Sequence, residues 1–204
     1  EDIVAKLTEA HHGGVEVATG LGKSLCILTL AKHYCLQTVV MAPSVSIADQ
    51  LYQDFLHAFG KKYVGFVGNG KKEARKLFTI AVAASLVKAE PGSEVYECLK
   101  TARVFIADES HTPPAKTFQE VGFGLLAAAQ YRFFFSATQL RGDGLELVLE
   151  GITGDIVYRM SLKQGVKEGG LAQPCFRMIN VESEDKTSSG DVNKMTRAHL
   201  FYNK

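Results

Sequence analysis

Two short stretches carry residues able to do chemistry together. Val17 to Ser24 reads VATGLGKS, with two glycines, a lysine and a hydroxyl inside one loop-sized run. Gly20 and Gly22 let the backbone turn tightly with its N–H groups aimed inward. Lys23 adds a point charge and Ser24 a hydroxyl oxygen, the set that cradles a phosphate chain and its divalent cation. The general pattern G-x-x-x-x-G-K-[ST] fails at its first place, where Val17 stands; a β-branched residue excludes positive φ there, so the loop must be a variant. The second stretch, Arg103 to His111, reads RVFIADESH, an apolar run ending in Asp108 and Glu109. Carboxylates at the C-terminal end of a buried parallel strand face the crevice where such sheets bind ligands. Asp108 suits Mg²⁺, usually through water, and Glu109 suits a base that polarises an attacking water. Each stretch has a plainer reading, a glycine turn joining strand to helix and a pair of surface acids capping a helix near 112–115. Their order, both at strand ends, favours a phosphate site.

Such a site must be held by strands and helices, and the sequence supplies them in alternation. Short runs rich in Val, Ile and Phe recur between segments of helical spacing, which predicts an α/β fold with a mostly parallel sheet and helices on both faces. Strands are expected at 14–18, 37–42, 63–67, 78–82, 103–107, 131–135, 155–160 and 175–181, and helices at 23–35, 45–59, 145–149 and 162–167. Within 45–59 the apolar residues Ile47, Leu51, Phe55 and Phe59 recur every fourth position, the mark of an amphipathic helix. Gly68-Asn69-Gly70 reads as a turn, and Pro113-Pro114 can open a helix but not continue one. Glu182 to Asp191 is polar and reads as a linker, so a first domain is expected over 1–181 and a linker with the start of a further domain over 182–204.

The 204 residues, 46% hydrophobic, suffice for one sizeable core and not for two full domains of ordinary size. A formal charge of +1 advertises no anionic partner through the field of the whole molecule. Cys26, Cys35, Cys98 and Cys175 stand far apart, which argues against a zinc cage and a disulfide framework and fits a reducing, cytoplasmic setting. No apolar run reaches membrane-spanning length, and no signal peptide opens the chain, so no membrane partner is expected. The chain begins at Glu1, and Met195 to Lys204 reads as the start of a helix cut short, which suggests a piece of a longer polypeptide.

VATGLGKS, ADESH (Ala107 to His111) and FSAT (Phe135 to Thr138) resemble motifs I, II and III of superfamily 2 helicases and translocases of the DExH kind. Their motif I tolerates a non-Gly first position, which accommodates Val17. SATQLRGDG (Ser136 to Gly144) and EGGLAQP (Glu168 to Pro174) resemble elements of the UvsW-like, XPB-like and restriction-motor subgroup. MAPSVSIADQ (Met41 to Gln50) resembles motif Ia, and FTIAVAASLVK (Phe78 to Lys88) a segment that contacts the nucleic-acid backbone. The resemblance implies a RecA-like P-loop domain, the first of two, that hydrolyses ATP to drive movement along or unwinding of DNA. It implies Ala18, Thr19, Gly20, Leu21, Gly22, Lys23 and Ser24 on the nucleotide, and Ser24 with Asp108 on Mg²⁺. Lys23, Asp108, Glu109 and His111 would be catalytic, and Ser136, Ala137, Thr138 and Arg141 would couple hydrolysis to the track.

For the nucleic acid itself the resemblance implies Pro43, Ser44 and Ser85, and it favours single-stranded, forked or branched DNA over RNA. Lys61, Lys62, Lys71, Lys72, Arg75 and Lys76 form a basic cluster that reads equally as a phosphate-binding surface and as a solvated face. Arg141 either touches nucleotide or nucleic acid or pairs with Asp143. His11-His12 lacks further ligands at metal spacing, and Tyr34, Tyr52, Phe55 and Phe59 are more often core than base-stacking groups at helical spacing. Alternative functions are a restriction-system motor, an RNA helicase, or a nucleic-acid-binding module without turnover.

Overall fold

The structure is a computed structural model, which describes residues 2–18, 20–109, 115–137, 151–152 and 154–173. The chain divides into two units, Glu1–Ala172 and Gln173–Lys204, and the fold below is that of the first. The expected elements at 145–149 and 175–181 lie outside the described residues.

Eight strands form one sheet: β1 (His12–Val17), β2 (Thr38–Ala42), β3 (Val64–Gly68), β4 (Lys71–Lys72), β5 (Phe78–Val82), β6 (Val104–Asp108), β7 (Tyr131–Ser136) and β8 (Ile156–Met160). Their spatial order is β4-β3-β5-β2-β6-β7-β1-β8, and every pairing is parallel except β3 with β4. The antiparallel pair follows from Asn69 and Gly70, whose φ of 47° and 81° make the two-residue turn that a right-twisted hairpin needs. Seven helices, α1 (Asp2–Ala10), α2 (Lys23–Tyr34), α3 (Val45–Phe59), α4 (Ala83–Leu86), α5 (Glu94–Lys100), α6 (Ala115–Gln119) and α7 (Leu162–Lys167), flank it among the described residues. A π-helical turn, Glu120–Leu125, extends α6.

Alternation along the strands sorts the apolar side chains into two cores. Val104 and Ile106 face α1, α2 and α3 with Leu7, Ile27, Leu30, Leu51 and Phe55. Phe105 and Ala107 face the other way, onto Leu86, Leu99, Phe118 and Leu125. Burial on both faces is why β2, β3, β5 and β6 read as mostly apolar runs without polar alternation. Tyr52 and Phe55 are core; Phe59 packs on Phe55, and Tyr34 packs on Tyr131 and Phe133 at the edge of the same cluster. α3 matches its expected span because Ser44 accepts from the Ile47 N–H at its start and Gly60, with φ of 81°, ends it.

The segment after α6 is pinned from a distance. The Arg132 guanidinium on β7 donates to the carbonyls of Gly122, Leu126, Ala127, Ala129 and Ile152 at 2.6–3.3 Å. Gly122 lies within the π turn, Leu126, Ala127 and Ala129 follow it and Ile152 comes from a separate segment, so one cation ties these carbonyls together.

β1 is drawn close to β7 by the absence of a side chain. Gly14 pairs with Phe134, whose ring crosses it, and a Cβ on Gly14 would stand 2.1 Å from Phe134 Cζ. Gly14→Ala is therefore expected to cost about 1–3 kcal/mol by overpacking, read by urea denaturation, with part of the loss recovered in Gly14→Ala/Phe134→Leu. A loss below about 0.5 kcal/mol would show that this approach does not set the strand spacing.

Candidate functional site

The parallel strands put their carboxyl ends on one edge of the sheet. β1 runs into Ala18, β2 into Pro43 and Ser44, β5 into α4 with Ser85, β6 into Asp108 and Glu109, and β7 into Ser136 and Ala137. The chain leaves β1 for β2 across β6 and β7, so a crevice opens at this change of direction, where such sheets take ligands.

At β1 the loop turns on Gly20 (φ 91°) and Gly22 (φ 80°), both left-handed, a conformation that costs a residue with a Cβ about 1 kcal/mol or more. Val17 stays in the strand, in extended backbone. Gly22 is the N-cap of α2 and supplies no side-chain cap, so the first N–H groups of the helix point into the loop's concavity beside Lys23 and half-buried Ser24. Thr19 lies outside the described residues.

At β6 the strand delivers Asp108, 6% exposed, and Glu109 turns out of it at φ 47°. That is a strained backbone for a glutamate and typical of residues held for a task. The turn swings its carboxylate toward α2, where Lys23 Nζ donates to Glu109 Oε1. The lysine loop and the acidic pair therefore meet in one cleft, with side-chain exposures of 10% and 19% for the two partners.

Asp108 is less well served. Its Oδ1 is buried without a hydrogen-bond partner. Burial first, and the Glu109 carboxylate second, push its carboxyl up to about 6, against the opposing pull of Lys23 and of a backbone hydrogen bond at Glu109. A buried acceptor without a hydrogen-bond partner, beside a second carboxylate and one ammonium, fits a cation or its bound water. Among the described residues no three His, Cys, Asp or Glu side chains gather as a metal cage, and Mg²⁺ needs none when phosphate oxygens and one carboxylate hold it.

Ser136 is fully buried at the end of β7, the strand between β6 and β1, and Ala137 follows it half-buried. Asp108 pairs in register with Phe135, so Ser136 stands one step beyond the carboxylate on the adjacent strand. His111, Thr138 and Arg141 lie outside the described residues.

Ser85 lines a cleft of about 520 Å³ between the β3–β4 hairpin and helices α4 and α5, together with Lys71, Lys72, Lys88 and Ser93. Lys88 was not singled out in the sequence, although it follows Ser85 at one-turn spacing and so shares its side of the chain. The basic cluster splits: Arg75 is paired with Glu94 at 3.0 Å and Lys76 donates to the Lys62 carbonyl, while Lys71 stands over the Tyr52 and Phe66 rings. Pro43 is half-buried, and exposed Ser44 uses its oxygen as the α3 cap. His11 packs on Tyr131, edge to face.

A mostly parallel sheet whose first strand feeds a P-loop lysine onto a strand-end carboxylate pair defines the N-terminal RecA-like domain of a superfamily 2 helicase. Residues 1–141 match the family described as "Type III restriction enzyme, res subunit", and the chain belongs to that family. It is 24% identical over 155 residues to the DNA 3'-5' translocase XPB2 of Sulfurisphaera tokodaii, covering 74% of this chain and 33% of that protein. Among solved structures it resembles the UvsW helicase of bacteriophage T4, with a TM-score of 0.65, 17% identity, and coverage of 76% of this chain and 57% of that one. The Hef helicase domain of Pyrococcus furiosus superposes with a TM-score of 0.64 at 18% identity, over 81% of this chain and 39% of that one. The chain thus spans about a third of its curated relative and little over half of the T4 structure.

Because the Asp108 carboxyl is raised on folding, the native state holds a proton that the unfolded chain releases between about pH 4 and 6. Stability falls as pH rises through that window and stays reduced above it, by about 3 kcal/mol for a shift of this size. Asp108→Asn is expected to raise the melting temperature by roughly 6–12 °C at pH 8 and by little at pH 4. Equal increments at the two pH values would refute the assignment of the burial penalty to this carboxylate.

Proposed function

We propose that this chain is the ATP-binding motor domain of an ATP-dependent DNA helicase or branch-migration translocase, which hydrolyses ATP to move along or unwind nucleic acid. The observation that carries the reading is the meeting of Lys23 with Glu109, beside a buried Asp108, at the carboxyl edge of the sheet. Ala18, Thr19, Gly20, Leu21 and Gly22 would wrap the phosphates with backbone N–H groups, and Lys23 would bind the β- and γ-phosphates. Mg²⁺, on Ser24 and through water on Asp108, would offset charge on the phosphate oxygens. A phosphate arriving at Lys23 competes with Glu109 for the ammonium, so binding redirects that carboxylate toward the attacking water, where it acts as base. His111, Ser136, Ala137, Thr138 and Arg141 would couple the state of the γ-phosphate to the track. Full activity would need a second RecA-like domain to complete the site, with residues 182–204 leading into it.

The nucleic-acid side rests on chemistry at the same edge. Ser85 and the lysines of its cleft, with Pro43 and Ser44 at the head of α3, present hydroxyls, N–H groups and charge suited to phosphates and to no particular base. The name of the XPB2 relative, a DNA translocase, supports DNA over RNA; the form we propose is single-stranded, forked or branched. The family description favours a second reading, the motor subunit of a restriction system. Both readings imply a cytoplasmic protein. Among the described residues no helix is long and apolar enough to cross a membrane.

Lys23→Ala is expected to abolish binding of Mg·ATP, whereas Glu109→Gln keeps binding and lowers hydrolysis by about a hundredfold or more, measured by fluorescent-nucleotide titration and phosphate release. Unchanged hydrolysis in both variants would end the enzymatic reading. In a salt titration of forked-DNA binding, Lys71→Gln/Lys88→Gln is expected to flatten the log K against log salt slope by about 1–2. Tighter binding of a matched RNA would turn the partner assignment to RNA.

A further inference from the structure

The end of helix α7 has an unusual composition. α7 begins at the Ser161 cap, whose oxygen accepts from the Gln164 N–H, and ends at Gly169 with φ of 77°. Gly170 N–H donates to the Gly165 carbonyl at 2.9 Å and Gly169 N–H to the Val166 carbonyl at 3.1 Å, the paired bonds of a Schellman turn. Such turns commonly close over an apolar contact between the residue three before the cap and the one two after it. Here those places are Gly165 and Gly170, which have no side chain to give.

Leu21, the apex of the Gly20-Leu21-Gly22 loop, takes the space. A Cβ on Gly165 would stand 2.9 Å from Leu21 Cδ1, and one on Gly170 would stand 3.0 Å from Leu21 Cδ2. Leu171 closes the other side: its Cδ2 would lie 3.1 Å from a Cβ on Gly20, and its Cδ1 3.1 Å from one on Gly165. The pieces interlock, with the loop leucine between two helix-end glycines and the turn's leucine against a loop glycine. β8, which precedes α7, pairs with β1, which precedes the loop, so both partners hang from adjacent strands.

We propose that the Gly165–Leu171 turn is a socket for the P-loop apex and that Leu171 is a positioning residue for the phosphate-binding backbone at 20–23. This rests on the nucleotide reading above for its consequence, and on packing alone for the socket. The loop's two left-handed glycines permit many conformations, and the only side chain between them is that of Leu21. Seating it selects one conformation, so the entropy of ordering the loop is met by apolar contact before a ligand arrives. The glycines of Glu168 to Pro174 are thereby explained: Gly169 supplies the left-handed turn and Gly170 supplies room.

The test uses the 204-residue chain, with amide hydrogen exchange and titration by a fluorescent ADP with Mg²⁺. Leu171→Ala is expected to speed exchange at 20–23 and weaken ADP binding about fivefold, with exchange in β2 and α3 unchanged and Leu171→Met restoring both. Gly165→Ala, which pushes on Leu21 while adding apolar surface, should speed exchange at the same amides. Unchanged exchange at 20–23 in Leu171→Ala, or a rise spread equally over β2 and α3, would overturn the socket. Wild-type chain that binds no ADP would overturn the nucleotide reading, and the exchange data would still decide the socket.

Discussion

One ammonium facing two carboxylates in a half-buried cleft is the constraint around which the domain is arranged. Water would screen such a group of charges cheaply, but here Lys23 and Glu109 are mostly withdrawn from it and Asp108 almost wholly so. Removing ions from water costs several kcal/mol apiece unless their mutual attraction and hydrogen bonds compensate. Lys23 and Glu109 compensate each other; Asp108 keeps an unpartnered oxygen and a raised carboxyl. The unequal treatment of the two acids separates their chemistry, because the one suited to a metal is the one that keeps an oxygen no protein donor reaches.

The sheet order makes that cleft possible. Asp108 belongs to β6 and the lysine loop to β1, and the single strand between them, β7, sets their separation at two strand spacings, about 10 Å. Gly14 lets β1 lie against the Phe134 ring, Arg132 ties β7 to the segment behind it, and the left-handed Glu109 spans what remains. Each is a close fit or a strained backbone accepted near the site, while strands farther out, such as β5, are regular.

What was legible in the sequence was what local patterning dictates. The fourfold spacing from Ile47 to Phe59 located α3 to the residue, and Phe78 to Val82 stands where its apolar run places a strand. Helix α5 went unread although Ser93 caps it by accepting from the Tyr96 N–H, because its seven residues bury only Leu99 fully. β4 is two exposed lysines, defined by its pairing with β3 and not by its own residues. The π turn at Glu120–Leu125 contains two glycines, and its Gly122 carbonyl is held by Arg132 from another strand. At the site the residue types named the chemistry, and the Ser85–Lys88 spacing was there to be read, but that Lys23 reaches Glu109 and that Leu21 meets Gly165 are long-range facts carried by no local spacing.

The strand order also bears on how the chain comes into being. β1 is made first, yet both of its neighbours, β7 and β8, follow after every other strand of the sheet. At ribosomal rates of about 5–20 residues per second, the strand bearing the phosphate loop waits on the order of ten seconds for its flanks. During that interval Val15 and Val17 have no sheet to enter, whereas β2, β3 and β5 can already assemble among themselves. The nascent polypeptide thus completes the far half of the sheet before the strand that carries the phosphate loop, and Val15 and Val17 are core side chains that chaperones would have reason to shield meanwhile.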